Sequence, residues 1–213
     1  MIGYYNYTVI LTYIGTLFGF IGITYTMNGN PYTCGSDLRM SLICLMIAGF
    51  CDMFDGKIAS TMDRTKQEKR FGVQIDSLSD LICFGVLPAL IVYRCSGGGF
   101  PSVLISAAYV LCALIRLAWF NVDEEHRQDS EENGRTTYLG LPVTTSALLI
   151  PSLIGSGQLL KVPADVFCPW VLLPIAVAFV SPFKLRKPEI IGMIMMALCG
   201  VAIFALVLIG VSV

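Results

Sequence analysis

Charge is scarce in this sequence. Lysine, arginine, aspartate and glutamate together make up 14% of its 213 residues, where a soluble domain carries about 25%. With 55% hydrophobic residues and a mean hydropathy of +0.74, that shortage makes an integral membrane protein the first class to consider. The net charge of −1 says little about partners; nucleic acid is not expected as one. Histidine is nearly absent: His126 is the single one, it sits in a polar loop, and it reads as solvated. The eight cysteines include no C-x-x-C pair; scattered through apolar stretches, they read as buried, inert thiols. Cys34 and Cys95 fall in loops that could share one side, which would allow a disulfide. No charge precedes Asp37, so residues 1–36 lack the basic start of a secretory signal and read as a retained first span. Internal repeats and a soluble domain are also lacking.

Long apolar runs are plentiful. A helical span needs roughly 20 mostly apolar residues, and seven stretches qualify, at about 7–27, 38–56, 74–94, 101–121, 141–160, 165–183 and 189–212. The breaks between them include Asn28 to Pro31, the charged 57–71 stretch, Ser96 to Gly99, the acidic 123–135 stretch and Pro182 to Pro188. The sixth span is the weakest, because Pro169, Pro174 and Pro182 interrupt it. The expected fold is all-α, a polytopic transmembrane helix bundle forming one domain over residues 1–213. With the N-terminus inside, eleven basic residues face inward (Lys57, Arg64, Lys66, Lys69, Arg70, Arg116, Arg127, Arg135, Lys184, Arg186 and Lys187) against three outside (Arg39, Arg94 and Lys161). That asymmetry puts the 57–71 loop in the cytoplasm.

Four acids stand out against this apolar background. Asp52 and Asp55 close the second span, three residues apart, and Asp76 and Asp80 open the third, four apart. Each pair lies on one helix face, and the short loop makes the two helices antiparallel neighbours, so the pairs can converge at the cytoplasmic end. An Asp near the bilayer centre costs about 2.5–3.5 kcal/mol, less towards the interface. Two carboxylates about 5 Å apart repel by about 3 kcal/mol at an effective dielectric of about 20. Such a group takes up protons or binds metal, and oxygen-only ligands suit Mg²⁺ or Mn²⁺ over zinc. Two such ions can clamp a diphosphate. The competing reading pairs the acids with Lys57, Arg64, Lys69 and Arg70 as ordinary helix-end charges. Gly56 and Gly72 would let a phosphate approach the backbone closely, or would serve helix packing.

Asp52-x-x-Asp55-Gly56-x-x-Ala59 followed by Gly72-x-x-x-Asp76-x-x-x-Asp80 resembles the signature of the CDP-alcohol phosphotransferases, D-x2-D-G-x2-A-R-x8-G-x3-D-x3-D. Two departures are plain: Ser60 stands where the signature has arginine, and eleven residues rather than eight separate it from Gly72. In the family that arginine helps hold the phosphates of a cytidine nucleotide, a task open here to Lys57, Arg64, Lys69 or Arg70. The stretches Asp80 to Ala89, Arg116 to Asn121 and Gly140-Leu141-Pro142-Val143 are similar to bacterial and archaeal phosphatidylserine synthases. The resemblance covers residues 6–183, a six-helix core, and leaves the last span, 189–212, without a counterpart.

The resemblance implies a reaction in which CDP-diacylglycerol and L-serine give phosphatidylserine and CMP. It implies two Mg²⁺ or Mn²⁺ ions bridged by Asp52 and Asp76, with Asp55 completing one site and Asp80 the other, and Asp80 as the general base. It also implies a homodimer among the lipids of a bacterial or archaeal plasma membrane, with the active site on the cytoplasmic side. The candidate CDP-diacylglycerol contacts are Asn6, Thr8, Gly56, Lys57, Ala59, Ser60, Lys69, Arg70 and Gly72, although Asn6 and Thr8 would serve equally as interfacial anchors. Arg116, Asn121 and Arg135 are the candidates for serine, since an arginine fork suits a carboxylate. Trp119, Tyr138 and Trp170 read as interface anchors or packing. Two alternatives stay open: the same chemistry with another acceptor, such as glycerol phosphate or inositol phosphate, and a divalent-cation transporter, since intramembrane acids often mark an ion path.

Overall fold

A computed structural model describes residues 9–28, 36–59, 61–62, 64–129, 137–160, 164–186 and 190–210. Among them run seven helices: α1 (Ile10–Asn28), α2 (Ser36–Ala59), α3 (Lys66–Cys95), α4 (Phe100–Asp129), α5 (Ser146–Leu159), α6 (Ala164–Val180) and α7 (Ile190–Gly210). Each coincides with one of the seven expected spans. By length and composition, α1, α3 and α4 are long and apolar enough to cross a membrane. In α2, five charged residues, Asp37, Arg39, Asp52, Asp55 and Lys57, dilute the apolar run.

Small residues set how closely the first three helices approach. The buried face of α1 is Thr12, Gly15, Gly19, Gly22 and Thr26, spaced three and four apart, so one stripe of the helix is almost without side chains. A Cβ at Gly19 would lie 2.5 Å from the sulfur of Cys83 on α3, and one at Gly22 would lie 2.9 Å from Leu87 and 3.1 Å from Cys44. Close backbone approach of this kind is how helices associate where lipid removes the hydrophobic drive. Gly49 of α2 does the same for Ala147 of α5, whose Cβ lies 2.6 Å from where a glycine Cβ would stand. Behind this trio the core is conventional: Leu42, Leu45, Phe84, Leu87, Ile91, Tyr109, Leu172 and Phe179 are fully buried, and the Tyr109 and Phe179 rings lie 5.3 Å apart.

Two helices outrun their apolar spans. α3 starts at Lys66, within the charged stretch expected to be a loop, because Thr65 and Glu68 form a capping box. The Glu68 amide donates to Thr65 Oγ1 (3.3 Å), and the Thr65 amide donates to Glu68 Oε2 (2.9 Å); two otherwise orphaned donors are thereby satisfied. α4 likewise carries the first acids of the 123–135 stretch on helix to Asp129, where Glu124 and Arg127 pair at i, i+3. The prolines expected to interrupt the sixth span lie inside a continuous α6 at positions 169 and 174.

One feature lies outside the all-α expectation. Strands β1 (Thr137–Leu139) and β2 (Lys184–Arg186) pair antiparallel, Tyr138 opposite Leu185. Gly140 follows β1 at φ +71°, and a Cβ there would meet the Phe179 carbonyl at 2.8 Å. Its amide donates to the Phe183 carbonyl (2.8 Å), and that of Leu141 to the Ala178 carbonyl (3.0 Å). The Gly140-Leu141-Pro142 motif thus has a structural reason: it docks the start of α5 onto the end of α6. The thiols of Cys44, Cys51, Cys83, Cys95, Cys112 and Cys199 are free, so Cys95 carries no disulfide; Cys34 lies outside the described residues.

Filling the glycine stripe should loosen the bundle. Gly19→Ala is expected to cost about 1–3 kcal/mol by overpacking, seen as a lower thermal unfolding midpoint in detergent. Cys83→Ala in the same chain should recover part of that loss, because the closest obstruction is the sulfur. Identical midpoints for Gly19→Ala and the parent would contradict the close α1–α3 contact.

Candidate metal centre

Helical spacing puts Asp52 and Asp55 on one face of α2, and Asp76 and Asp80 on one face of α3. The antiparallel hairpin turns those faces towards each other. Carboxylate oxygens of Asp52, Asp76 and Asp80 all lie within 4.8 Å of one another. Across the hairpin, Asp52 faces Asp80 and Asp55 faces Asp76, each pair within side-chain hydrogen-bonding reach. All donors are hard carboxylate oxygens, with hydroxyls in support, a set that fits a divalent cation of the magnesium or manganese kind rather than zinc. The residues present therefore fit such an ion. The acids line a cleft of about 190 Å³ that also touches Thr12 and Gly15 of α1, Ala48 and Cys51 of α2, and Ser79, Cys83 and Phe84 of α3.

The third wall was not foreseen. Thr12 of α1 donates to Asp55 Oδ2 (3.2 Å), and Thr16 shares a hydrogen bond of 2.7 Å with Ser79, one residue before Asp80. Cys83 donates to the Gly15 carbonyl (3.4 Å). These polar groups stand in line with the glycine stripe of α1 at i, i+4 spacing, and hydroxyls on the small-residue face of an apolar helix are the signal that could have found them. Such outer partners hold ligating carboxylates in orientation.

Directly after Asp80, α3 widens into a π-turn over Leu81–Val86. Pro88 explains it. Proline has no N–H for the carbonyl four residues back, and its ring crowds that carbonyl; here that is Phe84. Tyr109 of α4 and Ser146 of α5 donate to the Phe84 carbonyl instead, at 2.8 and 3.2 Å. The turn that carries Asp80 is thereby pinned to two further helices.

On its other side α3 is laced to α4. Arg70 pairs with Glu125 (3.6 Å), the Asn121 side-chain amide donates to Gln74 Oε1 (3.2 Å), and Ser77 donates to Asn121 Oδ1 (2.5 Å). Both ends of the Asn121 amide are engaged within the protein, next to Asp76. Arg116 is buried at 6% exposure, its guanidinium 5.6 Å from the Phe120 ring centre. Gly56 is exposed, with open space where a Cβ would stand. Gly72 lies under the Arg64 guanidinium, and Lys69 is exposed on the first turns of α3. Lys57 and Ala59 are helical, with side chains outside the description, and Asn6, Thr8, Ser60 and Arg135 lie outside the described residues.

A helical membrane bundle with a clustered-carboxylate site fit for a divalent cation is the class that fold and geometry define. The chain belongs to the CDP-alcohol phosphatidyltransferase family, whose model matches residues 6–181; α7 follows the matched region. The chain is similar to the CDP-diacylglycerol–serine O-phosphatidyltransferase of Saccharomyces cerevisiae, 33% identical over 147 residues that cover 65% of this chain and 50% of that protein. It is also similar to the archaetidylserine synthase of Methanothermobacter thermautotrophicus, 26% identical over 185 residues covering 86% and 70%. A CDP-diacylglycerol–serine O-phosphatidyltransferase of Helicobacter pylori is 30% identical over 119 residues covering 54% and 46%. The chain thus spans about half the length of two of these relatives.

The hydroxyl of Thr12 offers a clean probe of the cluster. Thr12→Val keeps the shape and removes the bond to Asp55, and should weaken Mn²⁺ binding about 10-fold or more with helical content unchanged. An unaltered Mn²⁺ titration would detach α1 from the site.

Proposed function

We propose that the chain transfers the phosphatidyl group of CDP-diacylglycerol to the hydroxyl of L-serine, releasing CMP. The observation that carries this reading is the convergence of Asp52, Asp55, Asp76 and Asp80 in one cleft between antiparallel helices. The names of the relatives support serine: they agree on a seryl product and differ in the lipid, so the acceptor is the better supported half of the assignment. On the family likeness, Asp52 and Asp76 would hold both of two Mg²⁺ or Mn²⁺ ions, Asp55 one and Asp80 the other, and the ions when bound neutralise the charge of the diphosphate.

The rest of the reaction is positioning. Asp80, the most buried of the four acids at 9% exposure, accepts the serine hydroxyl proton as the oxygen attacks the phosphorus attached to diacylglycerol. The new P–O bond forms as the bond to CMP breaks, and CMP leaves with the bridging oxygen. A carboxylate in such surroundings is a weak base, but the hydroxyl becomes acidic as it attacks, so reach matters more than basicity. Hydrogen bonds around Asp80, one between Thr16 and Ser79 and one from Tyr109 to the Phe84 carbonyl, restrain the turn that carries it. Arg116 is proposed as the partner of the serine carboxylate. Asn121 would join it only by exchanging its bonds to Ser77 and Gln74. Gly56, with open space above it, leaves room for the nucleotide phosphates at the end of α2. The lysine and arginine distribution supports a cytoplasmic site, and the family likeness a homodimer in a bacterial or archaeal plasma membrane.

Purified full-length protein with CDP-diacylglycerol and Mn²⁺ or Mg²⁺ should release CMP when serine is added. Release with glycerol phosphate and not with serine would refute the acceptor. Asp80→Asn should slow turnover by about 10²–10⁴-fold while retaining CDP-lipid binding, and Asp52→Asn should lose metal binding and turnover together. Near-parental turnover in either variant would remove its assigned role.

A further inference from the structure

Divalent ions held by the acids would neutralise part of a diphosphate's charge, and a fixed cation beside the cleft can meet the remaining phosphate oxygens. We propose that Arg64 is that cation, binding the phosphates of the nucleotide-linked lipid over the surface of Gly72. This rests on the transferase reading above and adds the identity of the phosphate-binding side chain.

Three observations single out Arg64 among the basic residues near the hairpin. Its Nη1 lies 3.1 Å from where a Cβ of Gly72 would stand, so the missing side chain at position 72 is what admits the guanidinium. Gly72 and Asp76 are four apart on α3, hence on one face and about 6 Å apart. The guanidinium therefore stands about one helical turn from Asp76. Finally, Arg64 Nε is buried with no hydrogen-bond partner among the described residues. A charged donor withdrawn from water without an acceptor is costly, and a phosphate oxygen is the acceptor that the family's substrate class supplies.

The other cations are placed differently. Arg70 is turned to the α4 seam and paired with Glu125, and Lys69 is exposed. Local structure keeps Arg64 in place: the Thr65–Glu68 capping box begins α3 at the very next residue, which fixes the backbone from which the side chain departs. An arginine fork matches two phosphate oxygens at once, where an ammonium acts as a point charge.

The test separates affinity for the two substrates in full-length protein. Arg64→Ala should raise KM for CDP-diacylglycerol, and Kd for CDP measured by calorimetry with Mn²⁺ present, by about 10- to 100-fold. KM for serine and the thermal midpoint should stay near the parental values. Arg64→Lys should recover part of the loss, and Lys66→Ala, at an exposed neighbouring position, should match the parent. Unchanged KM and Kd in Arg64→Ala would overturn the assignment while leaving the transferase reading intact. Equal losses for both substrates together with a lowered midpoint would also overturn it, making Arg64 a structural residue. A parent protein that releases no CMP and binds no CDP would instead bring down the transferase reading itself, and this assignment with it.

Discussion

Four carboxylates confined between two helices are the constraint around which the rest of this structure is arranged. Like charges within 4.8 Å, as those of Asp52, Asp76 and Asp80 are, repel by about 3 kcal/mol per pair at an effective dielectric of about 20, and low surrounding polarity makes the burden heavier. A fold can keep such a group only by holding the helices rigidly enough that the side chains do not splay, and by leaving an opening through which counter-charge arrives. The glycine stripe of α1 meets the first need, since helices in contact through backbone have little slack. Thr12, bonded to Asp55, and Thr16, bonded to Ser79, tie the same helix to the acids themselves. Packing and chemistry thus use one face of α1.

The need for rigidity also shapes α3. A proline two turns beyond Asp80 would ordinarily weaken a helix at the point where rigidity matters. Here the lost bond at Phe84 is replaced by hydroxyls from Tyr109 and Ser146, and the helix widens locally instead of breaking. The consequence is a link from the acidic turn to α4 and α5 that an unbroken α-helix would not offer, because its carbonyls would already be occupied. On the opposite face the Arg70–Glu125, Gln74–Asn121 and Ser77–Asn121 contacts hold the first half of α3. Asp76 and Asp80 stand between these two anchor points, which is why their separation from α2 is set by the whole bundle rather than by the hairpin loop.

Much of this was legible in the sequence, for definite reasons. Apolar runs of span length are strong signals, and all seven produced helices. The i, i+3 and i, i+4 spacing of the acids, with a short connection, leaves little choice about which faces meet. Thr12 and Thr16 were missed because single hydroxyls in an apolar helix are common and acquire meaning only when the glycines beside them bring another helix within reach. The early start of α3 was written in Thr65 and Glu68, but the surrounding charge suggested a loop. The pairing of β1 with β2 joins segments more than forty residues apart, and three-residue strands carry too little pattern to be seen. The role of Gly140 needed coordinates, since a left-handed turn against the Phe179 carbonyl is a tertiary fact.

The position of the phosphate-binding cation illustrates how a sequence departure and a geometry can be reconciled. With serine at position 60 and three additional residues before Gly72, Arg64, immediately before the capping threonine, brings a guanidinium to the Gly72 surface from the α3 side. Phosphate recognition by a guanidinium depends on where the fork lies and how it is oriented, not on which strand of the connection supplies it. What the exchange does require is a surface low enough for the fork to lie on, and the glycine at position 72 provides it one turn from Asp76. On this argument Gly72 and Arg64 are a matched pair: a larger residue at 72 would displace the guanidinium even with the arginine itself untouched.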